Sequence, residues 1–476
     1  MTGPTADIGV IGLAVMGRNL VLNMADHGHR VAVFNRSPER MRDFLETEEA
    51  RDRSIVGCET PEALAAALRS PRAILLMVKA GRPVDDQIDE LRPFLEPGDL
   101  IIDGGNAHYA DTARRAEALA DDGLLFVGAG ISGGESGARH GPAIMVGGDP
   151  LAYERVASIL TDIAADVGGE PCCAWLGPGG AGHFVKMVHN GIEYAVMQAI
   201  SEVWLIMRDP LQLDRNAMQA VFERWSDGPL GSYLIEITAD ILATDDAETG
   251  RPLLELIVDR AGHKGTGRWT GEAALELGVA APTLIGGYLA RALSADEEAR
   301  NEATSSLIGP GDASDDDFRH PMEHLEAALH CATIVAYGEG FRLLQAASRH
   351  HGWNLDLAAI AALWRGGCII RARLLETVVR AYRARPDLPL LIAAPEIAET
   401  VNARQTGWRR TIGVATARGV PVPALSSALA TYDGYRTPSL WTSMVQAQRD
   451  YFGAHTYERT DRPGTFHTDW LADDDR

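Results

Sequence analysis

The sequence predicts an α/β N-terminal domain built on a doubly wound parallel sheet, followed by a large all-α domain and a short C-terminal tail. Three observations predict this class. Residues 7–34 contain a strand, a glycine-rich turn, a helix and a second strand, the unit of Rossmann-like sheets. Short apolar strands then alternate with helical segments as far as residue 146. Beyond a glycine-rich junction at residues 178–182, strand signals cease and helical periodicity continues to residue 435.

The composition indicates a large, acidic, globular protein. The chain has 476 residues, and its net charge of −22 argues against nucleic acid or an anionic membrane as a partner. Five scattered cysteines suit a reducing cytoplasm, and their spacing fits neither a disulfide scaffold nor a metal site. We find no signal peptide and no apolar run of membrane-spanning length. We therefore expect a cytoplasmic protein without a metal, with an acidic surface loop at residues 312–317.

The first strand leads into a predicted phosphate-binding turn. The strand ends at Gly12, which permits a tight turn, and Ala14 replaces the usual middle glycine. Gly17 allows the following helix to pack closely on the strand, and the N-terminus of that helix favours phosphates. The predicted cofactor contacts in this turn are Gly12, Leu13, Ala14, Val15, Met16 and Gly17.

The end of the second strand, residues 31–34, predicts which cofactor binds. An NAD site places a carboxylate there for the ribose 2′-hydroxyl. This chain has Asn35, Arg36 and Ser37 instead. A carboxylate would repel a 2′-phosphate, whereas Arg36 can pair with it and the other two residues can donate hydrogen bonds. The sequence therefore favours NADP.

Five further strands are predicted, at residues 55–58, 73–78, 100–103, 124–127 and 143–146. Ligands of such sheets bind beyond the carboxyl ends of the strands. Three loops lie there: residues 78–81, which include Val78, Lys79 and Ala80, residues 103–106, which end at Asn106, and residues 130–134. The third loop is rich in glycine and can present N–H groups to a carboxylate. Each loop taken singly is equally well a flexible turn.

A long predicted helix at residues 182–200 contains the strongest candidate site. Lys186, His189, Asn190 and Glu193 follow the spacing i, i+3, i+4, i+7 and fall within an arc of roughly 100°. The other faces are apolar, so the helix is predicted to be buried and its polar groups must find partners. Two interpretations stay open here: an internal salt bridge between Lys186 and Glu193, or a face turned toward a ligand.

Basic residues elsewhere are candidates for binding an anionic ligand. Glycines crowd residues 261–269 around Lys264, which suggests backbone close to a ligand. Arg291 follows on a helical segment, and Arg449 and His455 lie near the C-terminus. Each of them, taken alone, is more simply interpreted as an ordinary surface charge.

Together, these segments resemble the decarboxylating 6-phosphogluconate dehydrogenases. The matching motifs extend through nearly the whole chain, at residues 12–17, 35–37, 131–137, 186–194, 264–267, 364–370 and 448–458. The resemblance implies that the chain oxidises and decarboxylates 6-phosphogluconate to ribulose 5-phosphate and CO2 and reduces NADP, as in the oxidative pentose phosphate pathway. It also implies a nucleotide domain at residues 1–178, a helical domain at 179–435, and a tail at 436–476 that inserts into the partner subunit of a homodimer.

The resemblance also assigns roles to individual residues. Lys186 is implied to be the base and Glu193 the acid. The implied substrate contacts are Asn106, Ser132, Gly133, Gly134, His189, Asn190, Tyr194, Lys264, Thr266 and Arg291, with Arg449 and His455 supplied by the partner subunit. Val78, Lys79, Ala80 and Asn106 join the cofactor contacts. A base at Lys186 requires a pKa lowered from about 10.4 toward 7, which we expect from burial beside Lys264 and Arg291.

Three positions depart from the family pattern. His263 stands where Gln is expected, Arg268 replaces Lys, and Ser37 replaces a frequent Thr. The first two put the geometry of the surrounding loop in question. Ser37 keeps the hydroxyl that a 2′-phosphate contact requires.

Three alternatives stay open at this point. One is a member of the same family that prefers NAD. A simpler β-hydroxyacid dehydrogenase would share the glycine turn and the lysine, but it would be shorter and would lack Glu193, Lys264, Arg291 and the tail motif. A non-catalytic nucleotide sensor would keep the turn and lose Lys186 and Glu193, whose joint presence argues against it.

Overall fold

The structure is a computed structural model and describes residues 5–310 and 318–471. The acidic loop predicted at residues 312–317 lies outside the described residues. The chain divides into two compact units, Met1–Ala428 and Leu429–Arg476. The domain limits at residues 178 and 435 stay predictions.

The first unit opens with a sheet whose strands occupy the predicted segments and one more. The strands up to residue 177 are β1 Ile8–Ile11, β2 Val31–Phe34, β3 Ile55–Cys58, β4 Ala73–Leu76, β5 Leu100–Asp103, β6 Leu125–Ser132, β7 Ala143–Gly148, β8 Asp166–Val167, β9 Glu170–Pro171 and β10 Cys173–Gly177. Eight of them form one sheet in the order β10-β7-β6-β5-β4-β1-β2-β3, and β8 pairs with β9. Strands β1, β2, β4 and β5 are buried along their whole length, as expected for a sheet covered on both faces. The predicted Rossmann-like class is confirmed.

The direction of the last strands differs from the prediction of a uniformly parallel sheet. Strand β7 pairs antiparallel with β6, and β10, which was not predicted, pairs parallel with β7. Only residues 133–142 connect β6 to β7, whereas a parallel crossover needs a dozen or more residues. The short connection therefore reverses the chain direction at this edge of the sheet.

Helices cover the sheet and build the rest of the chain. Those of the nucleotide-binding region are α1 Val15–Asp26, α2 Pro38–Glu46, α3 Glu48–Arg51, α4 Pro61–Ala67, α5 Arg82–Leu91, α6 Tyr109–Ala120, α7 Gly134–His140, α8 Pro150–Glu154 and α9 Ala157–Asp162. They are followed by α10 Ala181–Arg208, α11 Arg215–Asp227, α12 Tyr233–Ala243, α13 Thr266–Glu276, α14 Pro282–Ala295, α15 Glu297–Ser306, α16 Pro321–His351, α17 Leu357–Leu363, α18 Leu374–Ala384, α19 Pro395–Ala417, α20 Pro423–Arg436 and α21 Thr442–Gly453. Short 3-10 turns occupy Arg92–Phe94, Leu253–Leu256 and Leu391–Ala393. Among the described residues, no helix combines the length and the apolar character that a membrane span requires.

Helix α10 is the central element of the first unit. It packs against β6 and β7 on one side and against α13, α14 and α16 on the other. Its apolar side chains Phe184, Val185, Val188 and Ile192 are fully buried, and their burial stabilises the helix by roughly 1.5–3 kcal/mol each. The helix therefore has one fixed orientation, which determines where its polar face points.

Helix α14 is held at its N-terminus by a buried carboxylate. Glu339 on α16 accepts hydrogen bonds from the backbone N–H groups of Thr283 (2.9 Å) and Leu284 (3.1 Å) and from the Thr283 hydroxyl (2.7 Å). These N–H groups begin the helix and have no partner within it. The contact fixes α14, which carries Arg291, against the core of the unit.

The second unit contains α21 and a two-stranded hairpin, β11 Tyr457–Glu458 and β12 Thr465–Phe466. Asp450 on α21 is fully buried and joins the two parts. It accepts hydrogen bonds from His467 Nδ1 (2.9 Å), Thr468 N–H (3.1 Å) and Trp470 Nε1 (2.8 Å). Burial acts to raise the pKa of Asp450, but these hydrogen bonds outweigh it and lower the pKa to about 2. An ionised carboxylate therefore joins α21 to the residues that follow the hairpin.

Candidate active site

The glycine turn has the geometry of a phosphate-binding loop. Gly12 adopts φ +100°, and a Cβ atom there would lie 2.5 Å from the carbonyl oxygen of Met77, so only glycine fits. Gly17 packs directly on the backbone of Gly12. Ala14 precedes α1 in an extended conformation, and Val15 is 54% exposed at the first position of the helix. The N-terminus of α1 is therefore open to an anionic ligand.

Of the three residues that follow β2, Asn35 is hydrogen-bonded within the turn, whereas the side chains of Arg36 and Ser37 are exposed. Asn35 accepts a hydrogen bond from Leu13 N–H (3.0 Å) and donates to the carbonyl of Ser37 (3.0 Å). Its amide shapes the turn. Because Nδ2 carries two N–H groups, the predicted donation from Asn35 to a ligand stays a prediction. Arg36 and Ser37 are exposed, and Arg36 has no ion-pair partner in the part of the chain that the structure describes. A free guanidinium lies where a 2′-phosphate would be recognised.

Two predicted cofactor loops follow β4 and β5. Strand β4 ends at Leu76, so Val78, Lys79 and Ala80 belong to the loop before α5. Lys79 and Asn106 are both exposed at the carboxyl edge of the sheet, where such folds bind ligands. The structure thus brings the predicted residues to one edge.

A buried arginine holds these two loops together through hydrogen bonds. Arg115 on α6 donates to both carboxylate oxygens of Asp85 (2.9 and 3.0 Å) and to the carbonyl of Gly81 (3.0 Å). It also donates to Asp103 Oδ2 (3.3 Å), while Asp103 Oδ1 accepts from Gly105 N–H (3.1 Å). The hydrogen bond from Arg115 lowers the pKa of Asp85 to about 2. The two loops are therefore held in a fixed relation to each other.

The polar face of α10 forms a connected cluster with β6 and α13. Lys186 Nζ donates to Asn190 Oδ1 (2.7 Å) and lies 3.4 Å from His189 Nδ1. Asn190 Nδ2 donates to Thr266 Oγ1 (3.0 Å), and His189 Nε2 lies 3.2 Å from Ser132 Oγ. Sequence spacing alone predicted three of these residues on one face. The contacts with Ser132 and Thr266 follow only from the fold.

Glu193 lies beside this cluster, one turn further along α10. Its Oε2 is 3.9 Å from His189 Nδ1, and its side chain is 20% exposed. Among the described residues, no ion pair joins Glu193 to Lys186, so the internal salt bridge that the sequence left open is absent. Glu193 is therefore accessible to a ligand that contacts Lys186.

Burial shifts the proton affinities of these groups in opposite directions. Burial lowers the pKa of Lys186 to about 8, against the influence of Glu193 and Cys368. Burial raises the pKa of Glu193, while Lys186 and Arg291 act to lower it. Burial and the charge of Lys186 hold the pKa of His189 well below its usual range. We expected burial beside Lys264 and Arg291 to lower the pKa of Lys186. Burial does lower it, whereas neither cation is among the causes and Lys264 is exposed.

Strand β6 makes a close approach to the lysine. A Cβ atom at Gly130 would collide with the side chain of Lys186, so only glycine allows this contact. Ser132 ends β6, and Gly133 and Gly134 follow at the start of α7. The predicted glycine-rich loop therefore lies directly beside the lysine.

The opposite wall is built from α13 and α14. Tyr194 is buried, and the guanidinium of Arg291 lies 3.5 Å from the centre of its ring, a favourable cation–π arrangement. Arg291 also donates to the carbonyl of Gly262 (3.2 Å), in the loop that leads to Lys264. Lys264 is exposed just before Thr266, the first residue of α13. The basic residues predicted from sequence thus include, at this wall, the anchored Arg291 and the exposed Lys264.

Arg449 and His455 belong to the second unit. Arg449 is exposed and donates to Gln446 Oε1 (3.0 Å) on the same helix. His455 is exposed just after α21, with its ring edge-on to that of Phe452 at 6.0 Å. Both side chains are available to a ligand, and their predicted contact with substrate stays a prediction.

Family models match both halves of the chain. The model for the NAD binding domain of 6-phosphogluconate dehydrogenase matches residues 7–177, and the model for the C-terminal domain of 6-phosphogluconate dehydrogenase matches residues 182–470. The chain belongs to the 6-phosphogluconate dehydrogenase family. The predicted resemblance is confirmed.

Relatives in the 6-phosphogluconate dehydrogenase family match over nearly their whole length. The decarboxylating enzyme 2 of Saccharomyces cerevisiae is 50% identical over 96% of this chain and 93% of its own. The NADP-dependent decarboxylating enzyme of Bacillus subtilis is 49% identical over 98% of this chain and 99% of its own. The solved Plasmodium falciparum 6-phosphogluconate dehydrogenase, described with NADP+ and with 6-phosphogluconate, has a TM-score of 0.93 at 42% identity and covers 98% of this chain and 100% of its own.

Two positions that depart from the 6-phosphogluconate dehydrogenase pattern are accommodated locally. The ring of His263 lies edge-on to Tyr288 at 5.3 Å, and Arg268 pairs with Glu272 at 3.4 Å. Neither contact displaces Thr266 from Asn190. The departures therefore leave the cluster around the lysine intact.

Three buried polar residues near the 6-phosphogluconate dehydrogenase site were missed in the sequence. They are Thr112, Arg115 and His183. Residues 111–115 contain an aspartate and two arginines, a pattern typical of a solvated helical face. Only the packing of α6 against β6 and α10 shows that one arginine points inward.

Proposed function

We propose that this chain catalyses the oxidative decarboxylation of 6-phosphogluconate to ribulose 5-phosphate and CO2 with reduction of NADP. The observation that supports it most strongly is the pair on one face of α10: a buried lysine with a pKa lowered to about 8 and, one turn beyond His189, a carboxyl with a raised pKa. Two groups whose environments bring their pKa values toward neutrality are suited to moving protons.

The residues present fit NADP. The open N-terminus of α1, the glycine turn at Gly12 and the free guanidinium of Arg36 suit a pyrophosphate and a 2′-phosphate. Lys79 and Asn106 are exposed at the same edge of the sheet. When bound, NADP supplies the hydride acceptor for this reaction.

Lys186 acts as the base in the oxidation step. Its neutral amine accepts the proton of the C3 hydroxyl as the hydride leaves C3. The resulting ammonium then donates a hydrogen bond to the new carbonyl and stabilises the enediolate as CO2 departs. Asn190 orients the amine through its 2.7 Å contact, and it is oriented in turn by Thr266.

Glu193 acts as the acid in the final step. The enediol that remains after decarboxylation requires a proton at C1. Glu193 can retain a proton because burial raises its pKa, and its partly exposed side chain can reach the substrate. The substrate contacts in this proposal are the residues predicted from sequence around Lys186 and Glu193: Ser132, Gly133, Gly134, His189, Tyr194 and Arg291. The exposed Lys264 adds a further cation.

The enzyme is a homodimer in this proposal, and the tail completes the partner's site. On the second unit, Trp441, Met444, Tyr451 and Phe452 are 56–73% exposed, which is costly for apolar side chains on one segment. A two-fold interface would bury this surface and bring Arg449 and His455 to the partner's substrate. A cytoplasmic location and the absence of nucleic acid or membrane partners fit the free cysteines and the net charge of −22.

A stoichiometric assay tests the proposed function. With 6-phosphogluconate and NADP, the chain should form one NADPH, followed at 340 nm, for each CO2 released. Gluconate without the phosphate serves as the control and should react far more slowly. Formation of NADPH without CO2 would exclude the decarboxylating function and favour a simpler β-hydroxyacid dehydrogenase.

Replacement of Arg36 tests the choice of cofactor. A charge-assisted hydrogen bond to phosphate is worth about 1.5–3 kcal/mol, so Arg36→Ala should lower kcat/KM for NADP about 10- to 150-fold and leave the value for NAD nearly unchanged. Arg40→Ala, another exposed arginine just beyond on α2, is the matched control and should change neither value. Equal losses with NADP and NAD after the Arg36 replacement would show that Arg36 does not recognise the 2′-phosphate.

A further inference from the structure

A buried histidine lies between the catalytic helix and the loop that carries Asn106. His183 is on α10, one turn before Lys186, and is 1% exposed. Its Nδ1 lies 2.6 Å from Thr112 Oγ1 on α6. Its Nε2 is buried and has no hydrogen-bond partner among the described residues. Buried polar groups nearly always have a partner, so an exception calls for a reason.

The surroundings of the ring indicate which of its nitrogens carries the proton. The single hydroxyl proton of Thr112 has two acceptors, His183 Nδ1 at 2.6 Å and the carbonyl of His108 at 3.4 Å. The hydroxyl can also accept from Nδ1–H and donate to His108, but only the arrangement in which Nδ1 accepts directs a ring N–H at the backbone acceptors of Asp103 and Gly105. Burial keeps the imidazole neutral by lowering its pKa. The ring proton therefore resides on Nε2, which is a donor without an acceptor.

The loop at residues 103–106 lies next to this free donor. Burial lowers the pKa of the ring, and the interaction with backbone groups of Asp103 and Gly105 acts in the opposite direction and raises it. The ring itself cannot move far, because it packs on Gly128 of β6, where a Cβ atom would lie 2.6 Å from Nδ1. Arg115 holds the start of the loop through Asp103. The backbone beyond Asp103 is thus the part that can adjust to the ring.

We propose that His183 is a positioning residue for Asn106. Its Nε2–H donates to the backbone carbonyl of Gly105 when NADP is bound, and this contact holds Asn106 beside Lys186. The imidazole of His183 then keeps α10 and the loop at residues 103–106 at a fixed separation. The inference rests on the proposed function, because it takes NADP as the ligand of this edge of the sheet.

Two conservative replacements of His183 separate the two ring nitrogens. Asn places an amide near the position of Nδ1 and cannot reach the loop, whereas Gln places an amide N–H near the position of Nε2. His183→Asn should raise KM for NADP and lower kcat, with a combined loss of about 5- to 10-fold in kcat/KM, the effect of one hydrogen bond. His183→Gln should remain within about twofold of the wild type. The ratio of NADP to NAD use should stay constant in both variants, because Arg36 is unaffected.

Fluorescence titration with NADPH provides a readout that does not require turnover. His183→Asn should weaken NADPH binding about 5-fold, whereas His183→Gln should not. This comparison does not depend on turnover. If the wild type fails to oxidise 6-phosphogluconate, that result contradicts the proposed function alone. If the Asn variant does not fold, Thr112→Val replaces it, since this variant keeps the ring but loses the hydroxyl that holds Nδ1 in place. Equal behaviour of the Asn and Gln variants, or a changed NADP-to-NAD ratio, would overturn the positioning role of His183, as would unaltered binding by the Thr112 variant.

Discussion

Replacing Lys186 by Met is expected to lower kcat for NADPH formation about 10²–10⁴-fold, the range that a positioned base contributes. The thioether has a similar length and suits a site that is 5% exposed, so the fold should be retained. The replacement removes the hydrogen bond from Nζ to Asn190 Oδ1, while Asn190 keeps its hydrogen bond to Thr266. The measurement is the initial rate at 340 nm with saturating 6-phosphogluconate and NADP, beside the thermal unfolding midpoint of both proteins.

Glu193→Ala is the contrasting variant, because the acid acts only after CO2 has left. It should still oxidise and decarboxylate slowly, but solvent tritium should no longer enter C1 of ribulose 5-phosphate. Undiminished hydride transfer by the Lys186 variant would remove that residue as the base. Normal tritium exchange by the Glu193 variant would remove Glu193 as the acid.

Mixed dimers of a Lys186→Met chain and an Arg449→Ala chain are expected to recover activity. Each variant alone should be nearly inactive: the first lacks the base, and the second lacks a charge-assisted hydrogen bond to substrate phosphate worth about 1.5–3 kcal/mol. In a two-fold dimer with exchanged tails, one of the two sites combines the intact Lys186 of one chain with the intact Arg449 of the other. A dimer purified through two different affinity tags should therefore have about half the wild-type kcat.

The matched control combines a Lys186→Met chain with a Glu193→Ala chain. Both residues lie on α10 of the same chain, so neither site of this mixed dimer is intact and the full reaction should not return. If the pair that includes Arg449→Ala also stays inactive, each tail serves its own chain and the shared-site proposal is wrong.

Elements with strong local patterns could be predicted from the sequence. Such patterns depend on residues close in the chain. They include the glycine turn, Arg36 after β2, and the spacing of Lys186, His189 and Asn190, and the structure has each at its predicted place. The lowered pKa of Lys186 was also predicted in direction, because a lysine on an otherwise apolar helix must be buried.

What the sequence could not show depends on contacts between distant segments. The reversal of β7 follows from a short connection, and β10 carries no alternating pattern that marks it as a strand. Arg115 is surrounded by residues typical of a helix surface, and only the packing of α6 on α10 buries it. His183 lies on a helix that the sequence predicted to be buried, but its contact with Thr112 joins segments 71 residues apart. Burial was correctly predicted as the cause of the lowered pKa of Lys186, but the exposure of Lys264, which removes its expected contribution, is a property of the fold.

The central claim is that Lys186 is the base and works because burial lowers its pKa. The most direct test is the pH dependence of kcat/KM for 6-phosphogluconate, which reports groups of the free enzyme. Since the base must be neutral, kcat/KM should rise with pH through an apparent pKa of about 8. His189, with its pKa well below the usual range, and Cys368, with a pKa raised to about 12, cannot produce such a limb. A rise centred near 8 is the predicted result, and a kcat/KM that stays flat between about pH 6.5 and 9.5 would contradict the assignment of Lys186.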